Sequence, residues 1–409
     1  MRTEIRPLVI VETHPVQYHA PVYRLVEEAY GIPVTVIYGS DFSVAGYRDK
    51  EFNASFSWDV DLTVGNDVRF LSKAKEGGAQ SFDEVSARGL SRMLEAAGGS
   101  AVLLTGYSGW FNLAAFYAAR KTGWPVLFRA ETSDHAVVRD SVKSSIRDWT
   151  LRRLYSLCAR VLPIGSSSYA HYRRLGVPEE KMIFAPYCVN TAPFQCEETD
   201  RKTLRTATRA EIGLAENDIA VLFSGKLSER KGVHTLTAAV KLLLPGLRAR
   251  VVLVFLGSGP EQALLEAHCG SEPGVRALFP GFRNQTCLSP WYHAADMLVL
   301  PSVRFETWGL VVNEALHHGV PCVVSDAVGC ARDLIEDGRT GTMAAAGSPE
   351  SLAAAIVRTA DRLSGPAVRS DCRKKVSDFS VLKAAAGIAC AWREVAASAP
   401  EMALGNSFA

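Results

Sequence analysis

Short apolar runs recur along the chain, each followed by a stretch with helical spacing. Residues 8–11 (LVIV) contain no polar position, as a strand covered on both faces requires. In THPVQYHAPVYR, Pro15 and Pro21 frame a tight loop before a helix that runs to about residue 29. Residues 33–38 alternate as a second strand. Helical spacing over 82–97, 110–122 and 166–175 then separates short strands at 101–105, 125–130, 161–164 and 182–185. Such alternation is the mark of βαβ units on a parallel sheet. It lapses over 39–78, an irregular excursion rich in aromatics (Tyr47, Phe52, Phe56, Trp58, Phe70). Excursions of this length inside a domain are usually functional or loosely ordered.

From 186 to 209 the periodicity fails, and the polar YCVNTAPFQCEETDRKTLRTATR reads as an interdomain linker with its core at 191–209. Strands then return at 219–223, 251–256, 277–279, 297–300 and 321–324. Helices are expected at 233–244, 260–268, 289–295, 309–318 and 331–336, and again at 348–363 and 381–397. The pattern therefore predicts two α/β halves, 1–190 and 210–378, followed by a helical segment within 379–409. Ligands of open α/β sheets bind at the carboxyl ends of the strands. With two such sheets, the natural site is the cleft between them.

Composition narrows the class. A chain of 409 residues exceeds one typical core, and 48% hydrophobic with 22% charged residues is a globular balance. The formal net charge of +2 argues against nucleic acid as the main partner. The nine cysteines stand singly, without CxxC pairs or zinc spacing, as reduced core cysteines do in a cytoplasmic protein. No signal peptide is read at the start, and no apolar run approaches the roughly 20 residues that span a bilayer. The expected location is cytoplasmic. One segment qualifies this: the helix expected over 139–160 carries Arg139, Lys143, Arg147, Arg152, Arg153 and Arg160 against Asp140 and Asp148. It reads either as a solvated face or as contact with an anionic acceptor or, peripherally, with anionic lipid at the inner face of a membrane.

Candidate chemistry follows successive strands of the second half. SGKLSERKG places Gly225, Lys226, Lys231 and Gly232 between a strand and a helix, where two lysines can converge on a diphosphate. The GxxxxGK[ST] phosphate loop is absent, and an ordinary βα loop with exposed lysines is the competing reading. LGSGP, with Gly257 and Gly259, ends the next strand, and PGFR places Phe282 where an aromatic suits a flat base or simply joins the core. Last comes PSVRFETWGLVVNEALHHGVPCVVSD, in which Glu306 and Glu314 bracket a helix start at Gly309, Leu310 and Val311. Open N–H groups there favour a phosphate. Carboxylates beside a phosphate site imply a polar ligand lying between them.

In this order, these loops resemble the family-four retaining glycosyltransferases of the GT-B fold, whose marker is a glutamate pair spaced as in Glu306-Thr-Trp-Gly-Leu-Val-Val-Asn-Glu314. The resemblance is strong over about residues 221–341 and weaker before them. It implies two Rossmann-like α/β/α domains facing each other across a cleft, with a C-terminal helix crossing back to the N-terminal, acceptor-binding domain. It implies a hexosyltransferase of polysaccharide or glycoconjugate biosynthesis, moving a sugar with retention from a UDP- or GDP-linked donor to a hydroxyl of a glycan, lipid-linked or small-molecule acceptor. No cofactor and no metal are implied. Lys226 stands where the family usually has arginine, so a point charge replaces a bidentate fork. Lys226 and Lys231 would hold the diphosphate, Glu306 the sugar hydroxyls, Glu314 the ribose, and the N–H groups of Leu310 and Val311 a phosphate.

The first half departs from that family. His14, with Gln17 and Tyr18, replaces a glycine pair after the first strand, and would line the acceptor side of the cleft or cap the next helix. Glu131 falls nearest the position of a family histidine, with His135 slightly later, and both are catalytic candidates. A salt-bridged or capping Glu131 is the alternative. The competing function classes are a phosphorylase- or epimerase-like enzyme of the same fold and a non-catalytic sugar-nucleotide-binding or scaffold protein.

Overall fold

The computed structural model describes residues 5–49, 54–56, 58–132, 134, 141–304, 306–363 and 366–396. The first half contributes strands β1 (Leu8–Glu12), β2 (Val34–Tyr38), β3 (Tyr47–Asp49), β4 (Ala54–Phe56), β5 (Asp67–Phe70), β6 (Ala101–Leu104), β7 (Val126–Phe128) and β8 (Arg160–Val161). The second contributes β9 (Ile219–Ser224), β10 (Val251–Leu256), β11 (Arg276–Leu278), β12 (Met297–Leu300), β13 (Cys322–Ser325) and β14 (Gly341–Ala344). Two six-stranded sheets result, in the orders β5-β2-β1-β6-β7-β8 and β11-β10-β9-β12-β13-β14. Every pairing within them is parallel, while β3 and β4 form a separate antiparallel hairpin.

Both sheets reverse their strand order in the middle, between β1 and β6 and between β9 and β12. At such a switch point the connections leave in opposite directions and open a crevice at the carboxyl ends. The apolar runs explain the layers. Successive strand side chains point to opposite faces, so Val221, Leu253 and Val299 join one core of the second sheet while Leu222, Val254 and Leu298 join the other. Val9 and Val11 against Leu8 and Ile10 divide the first sheet in the same way.

The helix Val381–Ala396 buries Ala384, Ala385, Ile388, Ala389 and Ala391 in the core of the first sheet. Small residues allow that approach, since a Cβ on Gly387 would overlap the carbonyl of Phe184. Trp392 Nε1 donates to Ser100 Oγ at 2.9 Å, and Arg160 pairs with Glu394 at 2.6 Å. This helix thus packs on the domain that contains β1. These features make the fold GT-B: two Rossmann-like α/β/α units, with the last helix returning to the first.

Several elements depart from the hydrophobic pattern. Much of the expected linker is a helix, Glu198–Glu211, docked by arginines instead of leucines. Arg205 donates to the carbonyls of His293, Ala294 and Ala295 and to Asp296 at 2.6 Å, and the buried Arg209 reaches Ala294, Ala215, Asp218 and Asp296. The helix expected from residue 82 begins only at Leu90, behind a left-handed Gly89, after a single turn at Phe82–Glu84. Within the 39–78 excursion, β5 is an edge strand of the main sheet. The basic helix spans Ser141–Ser156, and Arg160 belongs to β8. His135, Arg139 and Phe52 lie outside the described residues.

The helix Leu310–His317 ends on the half-buried His317, whose Nε2 is shut off from solvent, and is followed by the buried His318. Burial drives His317 down to about 4 and His318 to about 3 from an ordinary 6.5. His318 Nδ1 contacts the Glu314 carbonyl oxygen and Nε2 contacts Ser289 Oγ, whereas His317 Nε2 has no partner among the described residues. A histidine kept neutral by folding leaves the unfolded chain binding more protons below pH 6.5, so each subtracts stability as pH falls from about 6.5 towards its folded value. Replacing His317 by Leu is therefore expected to gain on the parent protein by on the order of 1–2 kcal/mol at pH 5 and little at pH 8. Thermal unfolding of both proteins across that range checks it; a difference independent of pH contradicts it.

Candidate functional site

Three loops at the carboxyl ends of β9, β10 and β12 meet more closely than side chains permit. Gly257, at φ 147°, lies so near Gly225 that a Cβ would overlap the Gly225 carbonyl oxygen; Gly232, at φ 71°, lies as near the carbonyl of Pro301. Gly259 has the same relation to Leu227. Backbone hydrogen bonds join the loops where the glycines let them touch. Gly225 N donates to Leu256 O, Leu227 N to Ser258 O and Val303 N to Arg230 O, each at 2.9 Å.

On this frame the Lys231 ammonium pairs with Glu306 Oε2, which also accepts from Ser302 Oγ at 2.9 Å. Both side chains are largely buried, 15% and 11% exposed, so neither charge can turn fully to water. Lys226 is buried at the head of its loop. Just beyond the pair, Gly309 at φ 97° turns the chain into the helix Leu310–His317, which no side chain among the described residues caps. Its first-turn N–H groups at Leu310 and Val311 form a positively polarised end. Trp308 Nε1 fixes the entry by donating to Asn313 Oδ1 at 2.8 Å.

Beside this end lies a cavity of about 210 Å³ lined by Gly225, Gly257, Phe282, Val311 and Glu314 and closed from the first domain by Gln17, Tyr18 and Trp58. Glu314 is 4% exposed and accepts from Tyr292 Oη at 2.6 Å. Burial raises its carboxyl to about 7, so near neutral pH it is poised between acid and carboxylate. Tyr18 lines the same small space as Glu314 and is pushed above its ordinary range by burial first and by Glu314 next. Gln17 and Tyr18 thus share a cavity with the Glu314 helix and do not stand apart on a wall of the first domain. Gln285 lines the same cavity, with both side-chain amide atoms unpartnered among the described residues.

A second cavity of about 380 Å³ opens in the first domain at the ends of β1, β6 and β7, lined by residues that include Glu12, His19, Tyr107, Arg129, Glu131 and Tyr187. Glu131 joins the two halves: one oxygen accepts from Tyr187 Oη and the other from Thr307 Oγ1 at 2.5 Å. His14 lines neither cavity and instead packs its ring on Phe42, 4.6 Å between centroids. Further contacts hold the domains together. Asp333 accepts from the backbone N–H of Ser166 at 3.0 Å and from its hydroxyl at 2.8 Å, and Asp59 Oδ2 accepts from Thr286 N at 3.0 Å.

Sequence reasoning missed Glu12, His19, Arg129, Ser302, Tyr187 and Gln285. Arg129 left the clearest trace, as a charge directly after the apolar VLF of β7, where a buried arginine must find fixed acceptors. It finds the carbonyls of Ala185 and Pro186, at 3.1 and 2.7 Å.

Comparison with known proteins gives matches in both halves. Residues 31–188 match the glycosyl transferase 4-like domain, and residues 205–374 match glycosyl transferases group 1. An uncharacterized glycosyltransferase of Methanocaldococcus jannaschii is 36% identical over 152 residues, 37% of this chain and 38% of that protein. The D-inositol 3-phosphate glycosyltransferase of Streptomyces griseus is 36% identical over 168 residues, 38% of this chain and 35% of that protein. The matched parts thus span well under two thirds of these relatives. Among solved structures, Anabaena HepE in complex with UDP and glucose superposes with a TM-score of 0.64 at 18% identity, covering 93% of this chain and 98% of HepE. The chain therefore carries a glycosyl transferase 4-like domain followed by a glycosyl transferases group 1 domain, set face to face in a GT-B fold.

Proposed function

We propose that the protein is a retaining glycosyltransferase that moves a hexose-type sugar from a UDP- or GDP-linked donor to a hydroxyl, without a metal. The observation that carries this reading is the Lys231–Glu306 pair at the open end of the Leu310–His317 helix, beside the cavity that holds Glu314. A sugar nucleotide fits between these groups in one orientation. Its base enters the cavity near Phe282, its ribose hydroxyls donate to Glu314, and its diphosphate meets Lys226, Lys231 and the N–H groups of Leu310 and Val311. Its sugar hydroxyls take Glu306 in place of the lysine. HepE, solved with UDP and glucose, supports the donor class.

The chemistry follows from charge. As the anomeric carbon–oxygen bond breaks, its electron pair passes to the departing diphosphate, where the lysines and the helix amides stabilise the growing negative charge. The acceptor oxygen attacks from the same face, and its proton passes to the departing phosphoryl oxygen, which balances the step. Two lysines and a helix end supply the positive charge that a divalent ion would otherwise bring. Both oxygens of Glu131 are held by Tyr187 and Thr307. Its part in this scheme is to position the two domains about the anomeric carbon.

Acceptor binding is assigned to the first domain, and a membrane surface is where we place it. No helix among the described residues is long and apolar enough to cross a membrane. The helix Gly109–Lys121 exposes Trp110, Leu113 and Tyr117 beside Arg120 and Lys121, and Ser141–Ser156 exposes Ile146 and Trp149 beside Arg152 and Arg153. Arg147 Nη2 donates to Tyr107 Oη at 3.0 Å, tying the second helix to the turn that precedes the first. Apolar side chains among cations are the make-up of a surface that lies on anionic lipid.

Lys231→Ala and Glu306→Ala are expected to lower turnover at least 100-fold, the scale of removing a preorganised charge aimed at the transition state. UDP- or GDP-sugars should raise the melting temperature of the parent protein by mass action. Turnover that survives both substitutions, or that a chelator abolishes and a divalent ion restores, sinks the assignment. In flotation assays, vesicles containing phosphatidylglycerol should carry the protein, and Trp110→Ala with Trp149→Ala should release it; equal recovery with neutral vesicles removes the membrane reading.

A further inference from the structure

The 380 Å³ cavity of the first domain contains a carboxylate–imidazole pair that nothing in the donor reading uses. Glu12 ends β1 with its side chain 3% exposed, and its Oε1 lies 2.6 Å from Nδ1 of His19, which is 12% exposed and also lines the cavity. The neutral tautomer that fits the Glu12 contact carries its proton on Nδ1 and leaves Nε2 with a lone pair. That lone pair is an acceptor for a ligand O–H. The Tyr187 ring packs edge-on to His19, with centroids 5.7 Å apart, and holds the imidazole plane. Tyr187 also donates to Glu131, which is bonded to Thr307 next to Glu306. The pair thus stands at the far end of a short relay of contacts that begins at the donor sugar's position.

The charges of the cavity select among acceptors. Its described lining has two carboxylates, Glu12 and Glu131, and Arg129 as its cation. The guanidinium is committed to the carbonyls of Ala185 and Pro186 and lies 5.6 Å from the Tyr187 ring centroid. A phosphate or carboxylate entering here would meet two like charges, and the nearest cation is already engaged. Hydroxyls suit it better: Thr13, Thr105 and Ser108 offer further polar partners, and Tyr107 and Phe82 offer faces for the apolar side of a sugar ring. The volume lies within the range of small-ligand sites.

Resting on the glycosyltransferase reading above, we propose that this cavity is the acceptor subsite and takes an uncharged, polyhydroxylated ring, one of whose hydroxyls donates to His19 Nε2 while Glu12 positions the imidazole. His19 touches the acceptor; Glu12 acts through it. The name of the Streptomyces griseus relative carries a phosphorylated inositol; the acceptor inferred for this chain lacks that charge.

The test uses the full chain and reads binding apart from turnover. Saturation-transfer NMR with methyl α-glucoside, methyl α-mannoside and methyl α-galactoside is compared with glucose 6-phosphate and mannose 6-phosphate. At least one neutral glycoside should bind at least tenfold more tightly than either phosphate. His19→Ala should weaken that glycoside at least tenfold, His19→Gln should restore part of the loss through its amide, and Glu12→Gln should weaken it three- to tenfold. Stabilisation by UDP or GDP should be the same in all variants, which shows that the fold and donor site are intact. Stronger binding of a phosphate, no saturable binding of any neutral glycoside, or unchanged binding in both His19 variants overturns the proposal. Loss of nucleotide stabilisation in the parent protein would instead overturn the donor reading on which it rests.

Discussion

The site depends on backbone meeting backbone. Where the loops after β9, β10 and β12 converge, Gly257 packs on Gly225 and Gly232 on Pro301 with no space for a Cβ. That closeness brings Lys231, Glu306 and the start of the Leu310–His317 helix within reach of one small ligand. The positive φ angles of Gly225, Gly232, Gly257 and Gly309 serve the same end, since a residue with a side chain adopts them only under strain. Each loop holds its neighbour, so the charged groups need no long, flexible side chain to find one another. Preorganisation of this kind lets fixed charge act on a departing anion without reorganising at the moment of reaction.

Electrostatics then divides the site into two carboxylates with different duties. Glu306 is paired with a lysine and accepts from Ser302, beside a cation that a diphosphate can draw away. Glu314 faces a tyrosine hydroxyl deep in the protein, and burial lifts it to about 7. One group is ready to exchange partners. The other meets a ligand that brings hydroxyl donors and thereby favours its ionised form. Similar spacing from the helix start conceals this difference, which arises only from what surrounds each side chain.

How much was legible from residues alone follows from what each signal records. Hydrophobic period records burial, so both parallel sheets and the doubled architecture could be read from runs such as VLFS and VVLVFL, whereas the return of the helix Val381–Ala396 was implied only by the family resemblance. It does not record arginine docking. Glu198–Glu211, anchored through Arg205 and Arg209, therefore looked like a linker. Edge strands such as β5 and β14 pair on one side only and carry weaker patterns. The donor side was legible because its residues follow one another along successive loops. Gln17 and Tyr18 were picked out, but their place against Glu314 depends on how the domains face each other, which no local pattern contains. Between His14 and His19 the string THPVQYH offers no choice; only the fold puts one on Phe42 and the other on Glu12.

Asp333 gives that arrangement a further meaning. It lies in the second domain, yet its carboxylate accepts from the N–H and hydroxyl of Ser166, the first residue of a helix in the first. A helix start needs an acceptor for its free amides, and here the other domain provides it. Gly165 supports the arrangement, since a side chain there would collide with Trp308. The second domain thus completes a piece of the first domain's secondary structure. The stability of one domain's helix is thereby lodged partly in the other: loss of the Asp333 carboxylate would strip the Ser166 amide of its acceptor.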